Sequence, residues 1–347
     1  MFSKNLTYYR LQKGMTKKEL AEKIHVTPMA ISNYENGSRK PNMEILKALA
    51  AVLGVRVSDF LTVRNQKIEF HHAEFRKNSS LTKGQQDYVQ ESVEEYFGRF
   101  MTVVELLGDT VLPEFPECHS IRMSDDDEEN AKKLREHLGF ALDGPIEDLI
   151  GKLENKGILI YLLNINNPKF SGRNGFVNER PYIVLNQNMN AERNRSTLVH
   201  ELSHLMFKWP NGLPDASIEK RATAIGGAFL FPKSDAVREL GSCRKFVSKD
   251  MIHIAIEYGI SMMLLVKRGE ICGIFSQNTA RNFYIEASKI GWRTNEPSRI
   301  NQEMPTLFQQ LVFRAINENE ISFQKGSELL KMPYNQVVEH CCFDNEG

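Results

Sequence analysis

The stretch His200-Glu201-Leu202-Ser203-His204 sets two imidazoles four residues apart, with a carboxylate beside the first. On an α-helix, residues four apart project from one face. Two neutral imidazoles so placed can hold one zinc ion at about 2.0–2.1 Å each. Zinc polarises a carbonyl and lowers the pKa of water to about 7. Glu201, on the neighbouring face, is placed to take the released proton and pass it to a leaving nitrogen. That division of labour is what peptide hydrolysis requires. Without a metal, the apolar neighbours Val199, Leu202, Leu205 and Met206 would leave the imidazoles buried and short of partners, which makes a poor core.

A catalytic zinc ion takes three protein ligands and keeps one position open. Glu219, fifteen residues after His204, is the leading candidate for the third; Asp215 competes by distance and His253 more weakly. A helix is expected from a cap at Asp215 or Ser217 to just before Pro232, with Glu219 in its first turn. Packed against the first helix, it would aim a carboxylate at the metal. Gly226-Gly227 inside it cost about 1 kcal/mol each against alanine; they would let the two helices approach closely, and relaxed packing explains them equally well.

The elements that must carry this pair lie upstream. Ser124–Asn130 reads as a cap and acidic first turn for a helix over AKKLREHLGF. A second helix, PIEDLIGKLENKG, closes at Gly157, and ILIYLLNI and NGFVNERPYIVLN read as strands. Helix, helix, strands and then the histidine helix make a small α+β domain.

RNRSTLVHELSHLMF followed by IEKRATAIGGAFLFP resembles the ImmA/IrrE family of zinc metallopeptidases. The likeness extends upstream through PIEDLIGKLENKGILIY and downstream through GWRTNEP, about residues 120–300. It implies a zincin-like fold, zinc (or manganese) as cofactor, His200 and His204 as ligands and Glu201 as the catalytic glutamate. The family places its third ligand thirteen residues before a proline, and counting back from Pro232 gives Glu219. Ser203 stands where glycine is common, Ser196 where phenylalanine is common, and Phe229-Leu230-Phe231 replaces the usual leucines and methionine. None of these departures removes a chemical group.

The whole chain of 347 residues balances 44 Lys/Arg against 44 Asp/Glu, but residues 1–61 do not. There Lys4, Arg10, Lys13, Lys17, Lys18, Lys23, Arg39, Lys40, Lys47 and Arg56 face Glu19, Glu22, Glu35, Glu44 and Asp59, a net of +5. Such a local excess points to phosphate-rich partners. Apolar positions Leu6, Tyr8, Tyr9 and Leu11 mark a first helix ended by Gly14. Thr16 with Glu19 three residues on forms a capping box for a second, and Thr27 caps a third that has Pro28 at its first position. A fourth helix follows Pro41. Short helices joined by a tight turn make a helix-turn-helix.

MTKKELAEKIHVTPMAISNYENGSRKPNMEILKALAAVLGV resembles the repressor-type helix-turn-helix family of phage Cro and cI and the xenobiotic-response-element regulators. The resemblance implies that the third helix enters the major groove of an operator. Pro28, Met29, Ser32 and Asn33 would face bases, and Lys17, Thr27, Arg39 and Lys40 would sit near phosphates. Arg10 and Glu35 match an internal ion pair. Where better-known repressors carry glutamines, this helix has Pro28 and Met29, so hydrogen-bonded readout rests mainly on Asn33.

The chain is therefore expected to be multidomain: an all-α helix-turn-helix domain (1–61), a linker and long amphipathic helix (62–119), an α+β zincin-like metallopeptidase core (120–235) and helical C-terminal modules (236–347). Residues 62–84 read as linker, where His71 and His72 beside Glu74 suggest solvated side chains rather than a metal site. Val89, Val93, Tyr96, Phe97, Phe100, Val104 and Leu107 stripe one helix face, which could pair with a second copy in a homodimer or pack on its own domain. After residue 236, helix–turn–helix rhythms run through MIHIAIEYGISMMLLVKRG, with Gly259 in the turn, and again through TLFQQLVFRAINENEISFQKGSELLKMPYNQVVEH. Five cysteines without a Cys-x-x-Cys read as reduced thiols; Cys341-Cys342 read as two thiols in a terminal tail. With no apolar run long enough for a membrane span and no signal-peptide core, the expected location is the cytoplasm, without a membrane partner. The functional expectation is a regulator that binds a double-stranded operator of a stress, phage or defence-type operon and cleaves a repressor-like protein or itself. The alternative is a DNA-binding regulator or antitoxin whose peptidase fold is an inactive metal- or ligand-sensing domain.

Overall fold

The structure, a computed structural model, describes residues 2–62, 65, 67–73, 81–292 and 295–341. Much of the expected linker (63, 64, 66 and 74–80, with Glu74), Arg293 and Thr294 of GWRTNEP, and Cys342 of the cysteine pair lie outside the described residues. The chain opens with α1 (Phe2–Gln12), α2 (Lys17–Lys23), α3 (Pro28–Glu35) and α4 (Met43–Leu53), then a short strand β1 (Phe70–His72) and the long α5 (Lys83–Leu107). Its middle supplies β2 (Ile121–Arg122), α6 (Asp127–His137), α7 (Leu149–Glu154), β3 (Leu159–Leu163), β4 (Gly172–Val177) and β5 (Arg180–Asn186). Next come α8 (Ala191–Met206), β6 (Phe207–Lys208), α9 (Asp215–Leu230) and α10 (Lys233–Leu240). The remainder is helical: α11 (Met251–Tyr258), α12 (Met262–Ile271), α13 (Gln277–Lys289), α14 (Leu307–Asn317), α15 (Phe323–Leu330) and α16 (Tyr334–Cys341).

Two compact units result, Met1–Val111 with Phe308–Gly347, and Leu112–Leu307. This division differs from a break after residue 235. Helices α10–α12 send Ala236, Leu240, Met251, Tyr258, Leu265 and Val266 into the same core as α8 and α9. Their apolar faces complete the second unit.

In the first unit, α1–α4 close over Leu6, Leu20, Ile31, Tyr34, Leu49, Leu53 and Phe60. Local rules place these helices. The Thr16 hydroxyl accepts from the Glu19 N–H at 3.2 Å, while the Glu19 carboxylate accepts from the Thr16 N–H at 2.7 Å, a reciprocal capping box. Thr27 caps α3 with Pro28 at its first position, and Arg10 donates to Glu35 at 2.5 Å. The apolar stripe expected along α5 is covered within this unit. Its Val89, Val93, Phe97, Phe100 and Val104 are buried, and Phe100 stacks on Phe308 of α14 at 5.1 Å. The neighbouring His72 Nε2 lies 3.4 Å from a Glu94 carboxylate oxygen.

In the second unit, β5 lies between β4, antiparallel, and β3, parallel. Nearly every residue of β3 and β5 is buried, the pattern of strands covered on both faces. Asn178 and Glu179, both at positive φ, make the two-residue connection from β4 to β5 that matches the twist of a hairpin. Helix α8 packs on β4 and β5, and α9 packs on α8 and α6. From α6, the buried Arg135 donates to the Phe229 carbonyl at 2.8 and 2.6 Å, fixing the far end of α9. No helix among the described residues is long and apolar enough to cross a membrane.

Candidate metal centre and DNA-facing helix

Helix α8 anchors through Leu198, Val199, Leu202, Leu205 and Met206, all buried. Its remaining face carries His200 and His204. Helix α9 runs close alongside. A Cβ built on Gly226 would stand 3.5 Å from the His200 nitrogen, so alanine would just fit there and a larger side chain would push the helices apart. The N-cap position of α9 is Pro214, without a side-chain cap, and Asp215 is its first residue. Glu219 therefore sits past the first turn rather than within it. There it faces α8.

Glu219 offers one oxygen 3.1 Å from His200 Nε2 and the other 3.3 Å from His204 Nε2. The two Nε2 atoms stand 3.2 Å apart. Ligand atoms bound tetrahedrally at about 2.0–2.1 Å from one zinc ion are spaced by roughly 3.3 Å; the two imidazole nitrogens match that spacing, and Glu219 faces both as a third donor, which leaves one position of a tetrahedral ion over. Among the described residues, His200, His204 and Glu219 are the only three His, Cys, Asp or Glu side chains that converge in this way. Asp215 and His253, the competing candidates, stand outside the group. Burial would raise the Glu219 carboxyl, but hydrogen bonds from His200 and His204 outweigh it and hold the group well below the usual carboxylate range. The donor is thus an anion.

Glu201 is 8% exposed. Its Oε2 accepts a hydrogen bond of 2.6 Å from the Asn174 side-chain amide on β4. Thr223, one turn beyond Glu219, gives its hydroxyl proton to the Glu219 carbonyl at 2.9 Å and stands 3.2 Å from His200 Nδ1. The Trp209 ring lies 5.6 Å from that of His204. Asn174 and Thr223 were not singled out from the sequence. Thr223 had a signal, the i+4 spacing from Glu219 that shares a helix face. Asn174 had none, because the register of β4 against β5 and its packing on α8 set its position.

In the first unit, the core face of α3 is Ala30, Ile31 and Tyr34. Its outer stripe is Met29, Ser32 and Asn33, with Pro28 exposed before it. Lys17 reaches across from α2, 3.4 Å from the Ser32 hydroxyl and 3.3 Å from a Glu35 carboxylate oxygen. The Thr27 hydroxyl accepts from the Ala30 N–H at 3.2 Å. Arg39, over the Tyr34 ring at 5.9 Å, and Lys40 are exposed just beyond α3.

Residues 6–60 match the model of a family described as helix-turn-helix, and residues 153–269 match that of a peptidase family described as IrrE N-terminal-like domain. The chain is 42% identical over 48 residues to a putative multi-protein-binding factor 1 of Yarrowia lipolytica. It is 36% identical over 61 residues to the HTH-type transcriptional activator BcrR of Enterococcus faecalis, and 39% over 61 residues to the HTH-type transcriptional regulator YqaE of Bacillus subtilis. These alignments cover 14%, 18% and 18% of this chain and 32%, 30% and 52% of the three relatives. The crystal structure of Bacillus thuringiensis PlcR with a peptide and DNA aligns over 98% of this chain and 96% of its own, at 12% identity and a TM-score of 0.18.

Proposed function

We propose that this chain, which joins a helix-turn-helix domain to an IrrE N-terminal-like peptidase domain, is a DNA-binding transcriptional regulator whose second unit is a zinc-dependent endopeptidase. The observation that carries the reading is the convergence of His200, His204 and Glu219 beside a buried glutamate held by Asn174. In this reading His200, His204 and Glu219 hold zinc, or manganese. When bound, the ion supplies a Lewis acid that polarises the scissile carbonyl and acidifies water.

The chain's own residues do the rest. Asn174 fixes one oxygen of Glu201, so the carboxylate presents its other oxygen to an attacking water. Glu201 takes a proton from that water and returns it to the leaving nitrogen. In the first unit, Pro28, Met29, Ser32 and Asn33 face the bases, and Thr27, Arg39, Lys40 and Lys17 border the phosphates. The substrate is a repressor-like protein or the chain itself, with the polar segment 62–84 as the candidate place of cleavage, since a protease needs an accessible, extended backbone. Cleavage would then end repression of an operon in the compartment that holds the DNA, the cytoplasm.

The test incubates the full chain with zinc or manganese, operator DNA and candidate repressor proteins, beside Glu201→Gln. Mass spectrometry identifies any cleaved bond. The parent should cut one protein at one bond, and Glu201→Gln should slow this by about 10²–10⁴-fold. If parent and variant behave alike on every candidate, the endopeptidase reading fails and a metal- or ligand-sensing domain takes its place.

A further inference from the structure

Met29 is 68% exposed, the most exposed large apolar side chain on the described part of the first unit. Folding does not ask for it there. The core face of α3 is already complete with Ala30, Ile31 and Tyr34. Pro28, beside it, is exposed too and has no N–H to offer a phosphate. The tip of the helix is therefore an apolar knob of a thioether and a pyrrolidine ring. Exposed Lys40 and Arg39 follow the helix.

The polar part of the outer stripe is partly committed. The Ser32 hydroxyl faces Lys17 Nζ at 3.4 Å, which leaves the Asn33 amide as the chief hydrogen-bonding group aimed outward. Major-groove edges offer hydrogen-bonding groups at every base pair, but only one apolar feature, the methyl group at C5 of a pyrimidine. An apolar knob at the start of a helix that cationic side chains follow complements that feature.

We propose that Met29, backed by Pro28, reads the 5-methyl group of a pyrimidine in the operator, with Asn33 supplying the hydrogen-bonded contact one turn along the helix. The proposal rests on the DNA-binding reading above and adds the chemistry of recognition. Thymine and 5-methylcytosine both present this methyl group, and substitution of the base separates them.

The experiment selects duplexes from a random pool with the full chain, then replaces each selected thymine in turn by uracil, which removes only the methyl group. At one position per half-site, uracil should weaken binding by roughly 3- to 10-fold, the worth of one buried methyl group. Met29→Ala should weaken binding of the thymine duplex and erase the thymine–uracil difference. Met29→Gln should move the preferred base at that position, since an amide seeks adenine. At the same position, 5-methylcytosine should bind better than cytosine; if it also binds better than thymine, the methylated base is the natural one. Met29 lies outside the core, so circular dichroism should show both variants folded. If duplexes are enriched but uracil matches thymine everywhere and 5-methylcytosine matches cytosine, the methyl readout is wrong while DNA binding stands. If no duplex is enriched at all, both readings fall.

Discussion

Thr223 has one hydroxyl proton and two neighbours that want it. The proton goes to the Glu219 carbonyl at 2.9 Å, so the contact of 3.2 Å with His200 Nδ1 is made by the imidazole N–H donating to the threonine oxygen. With Nδ1 held as N–H, Nε2, the atom that faces Glu219 and His204, is the nitrogen left to take a metal once its hydrogen bond to Glu219 is given up. Thr223 thereby orients His200 with Nε2 toward the metal position, the role that outer hydrogen bonds play around zinc histidines. Thr223→Val keeps the shape and removes both hydrogen bonds. Zinc affinity, read by competition with a chelator, should fall by about 10–100-fold, while Thr223→Ser should restore it. Equal affinity for parent and valine variant would mean that packing alone orients His200.

At the scale of elements, the segment from Glu296 to Thr306 has no regular structure and is tied by carboxylates to partners far away in sequence. Glu192 on α8 accepts from the Ile300 N–H at 2.7 Å. Glu303 accepts from the Ile150 N–H at 3.2 Å and pairs with Arg195. Glu154 on α7 accepts from Thr306 and Leu307 at 2.8 and 3.2 Å. Glu154 is 3% exposed. Desolvation raises its pKa to about 7 from an ordinary 4.5, against those two backbone hydrogen bonds. An acid whose folded pKa is raised favours the fold below pH 4.5, and that contribution is lost as pH rises through about 7. Glu154→Gln keeps an oxygen to accept both N–H groups and has no charge to bury. Urea unfolding at pH 5 and pH 8 should show the variant gaining on the parent by up to about 3 kcal/mol. Parallel pH curves for the two proteins would refute this. None of this strap was legible in the sequence, because its partners lie 108 to 153 residues apart and only the tertiary fold selects them. What was legible obeys short-range rules. Thr16 with Glu19, Thr27 with Pro28, and His200 with His204 each act within about one turn of helix, and the structure sets each at the expected spacing. The stripe along α5 was legible as an apolar face; what covers it was not, since periodicity marks a face without naming its neighbour.

For the whole molecule, neutrality conceals a division of charge. The chain balances to zero while residues 1–61 carry +5, so the remainder carries −5. Phosphate attracts the first part and repels the rest, and on the reading proposed above the basic helices meet the duplex alone. Not every cation there is equally available. Arg10 is committed to Glu35 at 2.5 Å, and Lys17 is drawn to the same carboxylate at 3.3 Å. Lys40 is exposed just beyond α3. The affinity of the full chain for its operator should therefore fall steeply as salt rises from about 50 to 200 mM, by about 0.9 in logarithmic slope for each phosphate neutralised. Lys40→Ala should weaken binding alike on every sequence and reduce that slope by about one phosphate's worth. Lys17→Ala should change the slope less, because Glu35 already neutralises much of that charge. Fluorescence anisotropy across a salt series measures all three proteins. A slope that Lys17→Ala reduces more than Lys40→Ala would show that Lys17 leaves Glu35 for a phosphate on binding, and that the ion pair is a resting position rather than part of the DNA-bound fold.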